Sequence, residues 1–191
     1  MKDFKRIIGV FCVLTIFSAM ALGSGSSGSV SKVDPNSSGD ASVDASATEE
    51  SKDVVAKLGE TLDFNGLQLT FDSIERYVDT TNGFVLDKAA EGKEFVILWF
   101  TVSNNTESSQ YLNMFYEDSY CDDYSVDPQI LLYNYKGDTL LGSNVSPGKK
   151  AKGYICYQLD TTWQKLEFYY SPDIWKSSSK MMFEATPADI A

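Results

Sequence analysis

Several segments within residues 53–186 carry apolar residues at alternating positions, and no convincing apolar stripe in this part of the chain follows the spacing of a helix. Such alternation places successive side chains on opposite faces of an extended strand. The clearest case is `TLDFNGLQLTF`, where Leu67, Leu69 and Phe71 alternate with polar residues after the dipeptide Asn65-Gly66. Asn-Gly favours a two-residue turn with positive φ at both positions. The pattern therefore predicts a β-hairpin here.

A second segment, `KEFVILWFTVSNN`, is apolar on both faces from Phe95 to Val102, which is typical of a central strand covered on both sides. Several shorter apolar segments follow, separated by turns such as `SPGKK` and `DTTWQ`. Short strands separated by turns at such regular intervals predict two packed sheets. We expect an all-β, immunoglobulin-like β-sandwich of about eight strands over residues 53–186, with a tail at 187–191.

The N-terminus carries Lys2, Lys5 and Arg6 before an uncharged apolar run and the small residues of `SAMA`. This order predicts a secretory signal peptide over residues 1–21, and therefore a secreted or envelope-associated protein outside the cytoplasm. The alternative is a retained membrane anchor, although the run is shorter than the roughly 20 residues that a spanning helix needs. Residues 22–52 are rich in Ser, Gly and Asp, and predict a flexible linker.

Charge and histidine content exclude several functions. The chain has 27 acidic and 16 basic residues, a net charge of −11, which disfavours nucleic acid and anionic membrane surfaces as partners. It contains no histidine, so the usual general base and the commonest transition-metal ligand are missing. We therefore expect no catalytic residues, no cofactor and no resident metal.

The acidic stretch `YEDSYCDDYSVDPQ` leaves two chemical alternatives open. Asp118, Asp122 and Asp123 could serve a two-carboxylate hydrolase, and together with Glu117 and Asp127 they could bind calcium weakly. On an extended segment, however, Asp122 and Asp123 would point to opposite faces. The simpler interpretation is a solvated acidic edge that discourages pairing between sandwiches.

Cys121 and Cys156 form a candidate structural disulfide, because an extracytoplasmic location permits one and both residues fall in or near strands. Closing a loop of about 35 residues would stabilise the fold by about 3–4 kcal/mol. The alternative is a pair of buried, unbonded cysteines that behave as small hydrophobes. The sequence favours the disulfide slightly.

Aromatic residues suggest a carbohydrate-binding face as another possibility. In alternating strands about half of the aromatic side chains fill the core, and the rest lie on the surface. The aromatic candidates for a sugar-binding row are Tyr111, Tyr116, Tyr124, Tyr169 and Trp175.

A basic cluster at Lys149, Lys150 and Lys152 is a further candidate contact for an anionic partner. The alternative is that these lysines are ordinary surface residues of a turn.

The order of `EGKEFVILWFTVSNNTES`, `YEDSYCDDYSVD` and `SPGKKAKGYICYQLDTTWQKLEFYYSPDIW` resembles a family of secreted and lipid-anchored domains of unknown function from the envelope of Gram-positive bacteria. The resemblance covers roughly residues 54–185. It implies a fold similar to the immunoglobulin-like sandwich of the mycobacterial secreted immunogenic antigen, and it carries no catalytic residues. Relatives commonly have an acylated cysteine before the linker, where this chain has Ser24. The matching scaffold positions are Gly92, Phe95, Asn104, Asn105, Pro147, Gly148, Tyr157, Trp163 and Leu166.

Taken together, these features predict a monomeric, non-catalytic binding or interaction module with an unknown protein or glycan ligand outside the cell. A membrane contact would arise only through an uncleaved N-terminal segment. The alternatives are a carbohydrate-binding sandwich, with or without a calcium ion, and a two-carboxylate hydrolase.

Overall fold

The computed structural model describes residues 28–35, 54–78, 87–112, 118–132, 143–173 and 179–190. Within these ranges the chain forms thirteen β-strands, and a short 3₁₀ helix covers Pro187–Asp189. No helix in the described part of the chain is long and apolar enough to span a membrane. The predicted signal peptide, residues 1–21, lies outside the described residues. The strands are β1 (Ser31–Lys32), β2 (Val55–Ala56), β3 (Thr61–Phe64), β4 (Leu67–Tyr77), β5 (Lys93–Asn104), β6 (Gln110–Leu112), β7 (Ser119–Cys121), β8 (Tyr124–Ser125), β9 (Pro128–Gln129), β10 (Ser143–Val145), β11 (Lys150–Asp160), β12 (Leu166–Tyr170) and β13 (Met181–Ala185).

The strands form two main sheets. The large sheet has the order β1-β3-β4-β5-β11-β9, the small sheet has the order β2-β13-β12-β7-β8, and β10-β6 forms a two-stranded ribbon. The all-β prediction is confirmed. The described residues contain more strands than the expected eight or so, because the edges of both sheets are built from two- and three-residue segments.

The hairpin predicted at Asn65-Gly66 is present. β3 and β4 pair antiparallel, with Phe64 opposite Leu67. Asn65 and Gly66 have φ values of 53° and 90°, so both turn residues lie in the left-handed region that this dipeptide tolerates. The turn is closed by Asp63, whose Oδ1 accepts the Gly66 N–H at 3.1 Å.

The strand predicted to be central is also confirmed. β5 lies between β4 and β11 and pairs with each along nearly its whole length. Its inward face joins the core between the sheets, while Phe95 and Ile97 belong to a second cluster on the outer face of the large sheet. Tyr77, Tyr154 and Cys156 complete this outer cluster. Burial on both faces explains why the sequence shows no alternation here.

Four phenylalanines pack the two sheets together. Phe71 and Phe100 come from the large sheet, and Phe168 and Phe183 come from the small sheet. The Phe100 ring centroid lies 5.0 Å from that of Phe168 and 5.2 Å from those of Phe71 and Phe183. All four side chains are at most 1% exposed, so they form the centre of the core.

The predicted linker is not structureless throughout. Residues 28–35 fall within the expected flexible segment 22–52, yet Ser31 and Lys32 pair with Asp63 and Leu62 on the outer edge of β3. Lys32 Nζ contacts Glu60 Oε2 at 2.7 Å, and Val30 packs against the core. Pairing by edge addition requires backbone groups rather than apolar side chains, so the composition of this segment gives no sign of it.

The two cysteines are not bonded to each other. Cys121 belongs to the core between the sheets, whereas Cys156 belongs to the outer cluster on the other face of the large sheet. The favoured disulfide is therefore corrected: both residues occupy the alternative role of buried small hydrophobes. Burial raises the pKa of Cys156 to about 12, with a smaller contribution from Asp87.

The side chain of Asn104 joins the two-stranded ribbon to the large sheet. It is fully buried, and its Nδ2 donates to the carbonyl oxygens of Ser108 and Val145, both at 2.8 Å. Its Oδ1 accepts from Thr106 N–H at 3.0 Å and from Thr106 Oγ1 at 2.7 Å. One amide therefore anchors both the turn after β5 and strand β10.

Asn104→Ala should lower the free energy of unfolding by about 2–4 kcal/mol, because it leaves several buried backbone and hydroxyl groups without partners. Urea denaturation followed by circular dichroism measures the change. Asn105→Ala is the matched control, since its side chain is exposed, and it should change stability by less than about 0.5 kcal/mol. Equal losses in both variants would contradict the anchoring role.

Alkylation of the denatured protein without reductant should label both Cys121 and Cys156, as shown by peptide mass mapping. In the native protein at pH 8 both thiols should react far more slowly than a free cysteine, because burial keeps them protonated. Ionisation of a buried thiol is favoured in the unfolded chain, so stability should be intact below about pH 9 and fall as the pH rises above it. If Cys121 and Cys156 stay unlabelled in the denatured protein, the two residues form a disulfide and the correction is wrong.

Candidate functional site

A cleft of about 320 Å³ opens at one end of the sandwich, between the β7–β8 hairpin of the small sheet and the last residues of β11 in the large sheet. It forms where the chain leaves the small sheet at Ser125 and enters the large sheet at Pro128. Its lining residues are Lys93, Cys121, Asp122, Tyr124, Ser125, Val126, Gln158, Leu159, Asp160 and Thr162.

The acidic stretch forms one wall of this cleft through a tight turn. Cys121 pairs with Tyr124, which leaves Asp122 and Asp123 as a two-residue hairpin loop. Their φ values are 49° and 68°, in the left-handed region that aspartate tolerates better than most residues. The expectation that the two carboxylates point to opposite faces of an extended strand is therefore wrong.

The Asp122 carboxylate holds the neighbouring loop in place. Its Oδ1 accepts backbone N–H groups from Lys165 at 2.8 Å and Gln164 at 3.1 Å, and its Oδ2 lies 3.1 Å from the same Gln164 nitrogen. The Asp122 N–H in turn donates to the Lys165 carbonyl at 3.0 Å. This carboxylate clamps the β11–β12 connection against the hairpin and has a structural partner already.

The opposite wall contains an ion pair between two strands. Lys93 and Asp160 are cross-strand partners at the ends of β5 and β11, and Lys93 Nζ lies 3.0 Å from Asp160 Oδ1. The Lys93 side chain is 38% exposed and that of Asp160 is 68% exposed, so both reach water at the cleft rim. Such a pair contributes little stability but presents donors and an acceptor side by side.

Glu94 on β5 holds the turn that follows β11. Its Oε1 accepts from Trp163 Nε1 at 2.9 Å, and its Oε2 accepts from Arg76 Nε at 2.8 Å. Trp163 is 2% exposed, so its indole fills the core at this end of the sandwich. Glu94 therefore links Trp163 in the β11–β12 connection to Arg76 on β4.

Cys121 lies at the inner side of the cleft with a protonated thiol. Burial raises its pKa to about 11, and the nearby carboxylates of Asp122 and Asp160 act in the same direction. A thiol with such a pKa is almost entirely neutral at physiological pH, and only the thiolate is an effective nucleophile. Its role here is packing.

Each carboxylate singled out for a hydrolase has its own ionic or backbone partner. Asp118 lies 3.3 Å from Lys180 Nζ, and Asp123 lies 3.9 Å from Lys165 Nζ. Within the described ranges, no group of three or more acidic or cysteine side chains is placed to hold a metal ion. Glu117 lies outside the described residues. The described residues therefore provide no ligand set for the calcium alternative.

The aromatic candidates that the structure describes lie on three different strands. Tyr111 lies on β6 in the two-stranded ribbon, and Tyr169 packs edge-on against Tyr120 at 5.9 Å. Tyr124 lines the cleft and is 78% exposed. Tyr116 and Trp175 lie outside the described residues.

In the basic cluster, Lys152 Nζ lies 3.3 Å from Asp72 Oδ2 on the large sheet, which fits an ordinary surface residue of a strand.

Several cleft residues carried no signal in the sequence. Lys93, Gln158, Asp160 and Thr162 are ordinary polar residues at strand ends, and only the pairing of β5 with β11 brings them beside the β7–β8 hairpin. The Asp-Asp turn could have been predicted, because two consecutive aspartates between a buried Cys and a Tyr suit a hairpin loop.

Asp122→Asn should lower the free energy of unfolding by about 1 kcal/mol, because a neutral amide oxygen accepts the Gln164 and Lys165 N–H groups less strongly than a carboxylate does. Asp123→Asn is the matched control in the same turn, and it should change stability by less than about 0.5 kcal/mol, since Asp123 is 90% exposed. Thermal and urea unfolding of both variants measure the difference. A larger loss for Asp123→Asn would contradict the clamp.

Among solved structures, the chain is similar to "a putative lipoprotein (ycdA)" from Bacillus subtilis, with 14% identity and a TM-score of 0.51 over 64% of this chain. The aligned part spans 37% of that protein, and the likeness concerns the fold. The yjhA protein of the same organism aligns with 22% identity and a TM-score of 0.49, over 66% of this chain and 96% of that one. An uncharacterized β-sandwich protein from Clostridium difficile aligns with 13% identity and a TM-score of 0.46, over 74% and 100% of the two chains.

No curated protein matches the chain. The profile described as "Domain of unknown function (DUF4352)" matches residues 56–180, well over half of the chain and nearly the whole sandwich. The resemblance drawn from the sequence is thereby confirmed, and the chain belongs to the DUF4352 family of domains of unknown function.

Proposed function

We propose that this protein is a non-catalytic binding module of the bacterial cell envelope, and that the cleft beside the β7–β8 hairpin is its binding site. The observation that carries the proposal is the state of the polar groups in the cleft. Asp122 is engaged by two backbone N–H groups, and Asp160 is engaged by Lys93. Groups that are already paired can orient a ligand at the rim, but they are poorly placed to transfer protons.

The candidates for covalent chemistry are equally unsuited to it. The Cys121 thiol, with a pKa of about 11, stays protonated at neutral pH. The chain has no histidine to act as its base. Exposed Tyr124 and the polar rim favour recognition instead, because an aromatic ring supplies contact area with little loss of conformational entropy.

Location outside the cytoplasm is supported by two independent observations. The first 21 residues have the order of a secretory signal, and the Bacillus subtilis protein with the same fold is described as a putative lipoprotein. The acidic chain also suits an exported module that does not bind nucleic acid. Binding at one small cleft fits a monomer that acts at the end of a linker.

Cosedimentation with cell walls isolated from the host organism tests the proposal. The purified chain should bind the walls saturably, and Tyr124→Ala should weaken binding about tenfold or more. Tyr111→Ala is the matched control, because Tyr111 is 64% exposed but lies away from the cleft, and it should bind like the wild type.

The same samples test the non-catalytic part. The amount of soluble sugar and peptide released from the walls should equal that of a buffer control at every protein concentration. Release that rises with protein concentration and disappears in Asp160→Asn would overturn the proposal in favour of a hydrolase. Absence of saturable binding would overturn it outright.

A further inference from the structure

We infer that the cleft binds the end of an uncharged carbohydrate chain, with the ring of Tyr124 as the surface on which a sugar stacks. This inference rests on the proposed function and specifies its ligand. It follows from the origin of the cleft, the exposure of one ring and the chemistry of the rim.

The cleft is formed by the way the strands of the two sheets end and pair. β9 pairs with β11 only at Cys156 and Tyr157, so the segment Gln158–Asp160 continues beyond its neighbour. Across from it stands β8, the edge strand of the small sheet. The connection through Val126 is held by its N–H, which donates to the Ser119 carbonyl at 2.9 Å. The gap between the sheets is therefore fixed by backbone pairing on both sides.

Tyr124 differs from the other tyrosines of the small sheet. Tyr169 is covered by the edge of Tyr120 and by Lys180 Nζ, which lies 4.3 Å from its ring centroid. Tyr124 is the cross-strand partner of buried Cys121, yet it is 78% exposed and lines the cleft. A large ring left open beside a cavity is a favourable site for a ligand with an apolar face.

A sugar ring has such a face. Its C–H hydrogens carry partial positive charge and fit against the negative face of an aromatic ring, while its hydroxyl groups point outward around the rim. Hydroxyl groups donate and accept hydrogen bonds, as do Ser125 and Thr162 at the cleft. The Lys93–Asp160 pair adds donors and acceptors on the opposite wall.

The negative charge of the cleft and of the whole chain disfavours acidic polymers as ligands. The cleft lining contains one lysine and two aspartates, and the lysine is neutralised by Asp160 at 3.0 Å. The whole chain has a net charge of −11. A phosphate-rich or carboxylate-rich chain would meet repulsion here without a compensating cation. A cleft of about 320 Å³ lies at the lower end of the range for small-ligand sites, so it suits the end of a chain.

Titration of the ¹⁵N-labelled chain with cellotriose and with triacetylchitotriose tests the inference, with glycerol phosphate as the charged probe. At least one trisaccharide should shift the amide signals of Tyr124, Ser125 and Gln158–Thr162 in a saturable way. Glycerol phosphate should leave them unchanged. Shifts with glycerol phosphate alone would overturn the inference.

The variants separate stacking from general damage. Tyr124→Ala should weaken trisaccharide binding about tenfold, whereas Tyr124→Phe should stay within about threefold of the wild type because the ring remains. Tyr111→Ala should bind normally. All three should have unaltered circular dichroism spectra, since both tyrosines are exposed. Binding that is insensitive to Tyr124→Ala would overturn this site.

Loss of sugar binding and loss of cell-wall binding are separate outcomes. If neither trisaccharide binds while the chain still cosediments with cell walls, the carbohydrate inference is wrong and the binding module stands. If an extended peptide shifts the same amide signals and the sugars do not, the inference is also wrong. If wall binding is missing as well, the proposed function itself fails.

Discussion

The contact between the four phenylalanines at the centre of the sandwich is the interaction on which the rest of the structure depends. Phe71 and Phe100 from one sheet meet Phe168 and Phe183 from the other, with Phe100 in contact with all three partners at 5.0–5.2 Å between ring centroids. Edge-to-face and tilted pairs of this kind contribute about 0.5–1.5 kcal/mol each beyond the burial of their area. They hold β4 and β5 against β12 and β13 and so set the separation of the sheets at the centre of the core.

The cleft is a consequence of that separation. Because the two sheets are held apart by a layer of side chains, the chain must cross between them when it passes from β8 to β9. The crossing leaves the end of β11 without a neighbour on that side and places the β7–β8 hairpin opposite it. Asp122 and Glu94 both accept hydrogen bonds from the β11–β12 connection beside the gap, Asp122 from Lys165 and Glu94 from Trp163. A rigid frame with an exposed ring suits recognition of a ligand without rearrangement.

How far the sequence predicts this arrangement depends on whether the signal is local. The Asn65-Gly66 turn and the buried strand from Phe95 to Val102 follow from neighbouring residues, and both are present. The composition of residues 22–52 predicts a flexible linker and gives no sign of β1, because the pairing of β1 with β3 depends on the edge of a distant hairpin. The expected disulfide failed for a related reason: alternation places a side chain on a face, but only the register of distant strands shows that Cys121 and Cys156 lie on different sides of the large sheet.

The two sheets stack through this phenylalanine cluster and leave the cleft at one end. A ¹³C-edited NOESY spectrum with selectively labelled phenylalanine tests it most directly. The account predicts cross-peaks from the ring protons of Phe100 to those of both Phe168 and Phe183, because their ring centroids lie 5.0 Å and 5.2 Å away. Cross-peaks from Phe100 only to β4 and β11, with none to the small sheet, would contradict the sandwich and the cleft with it.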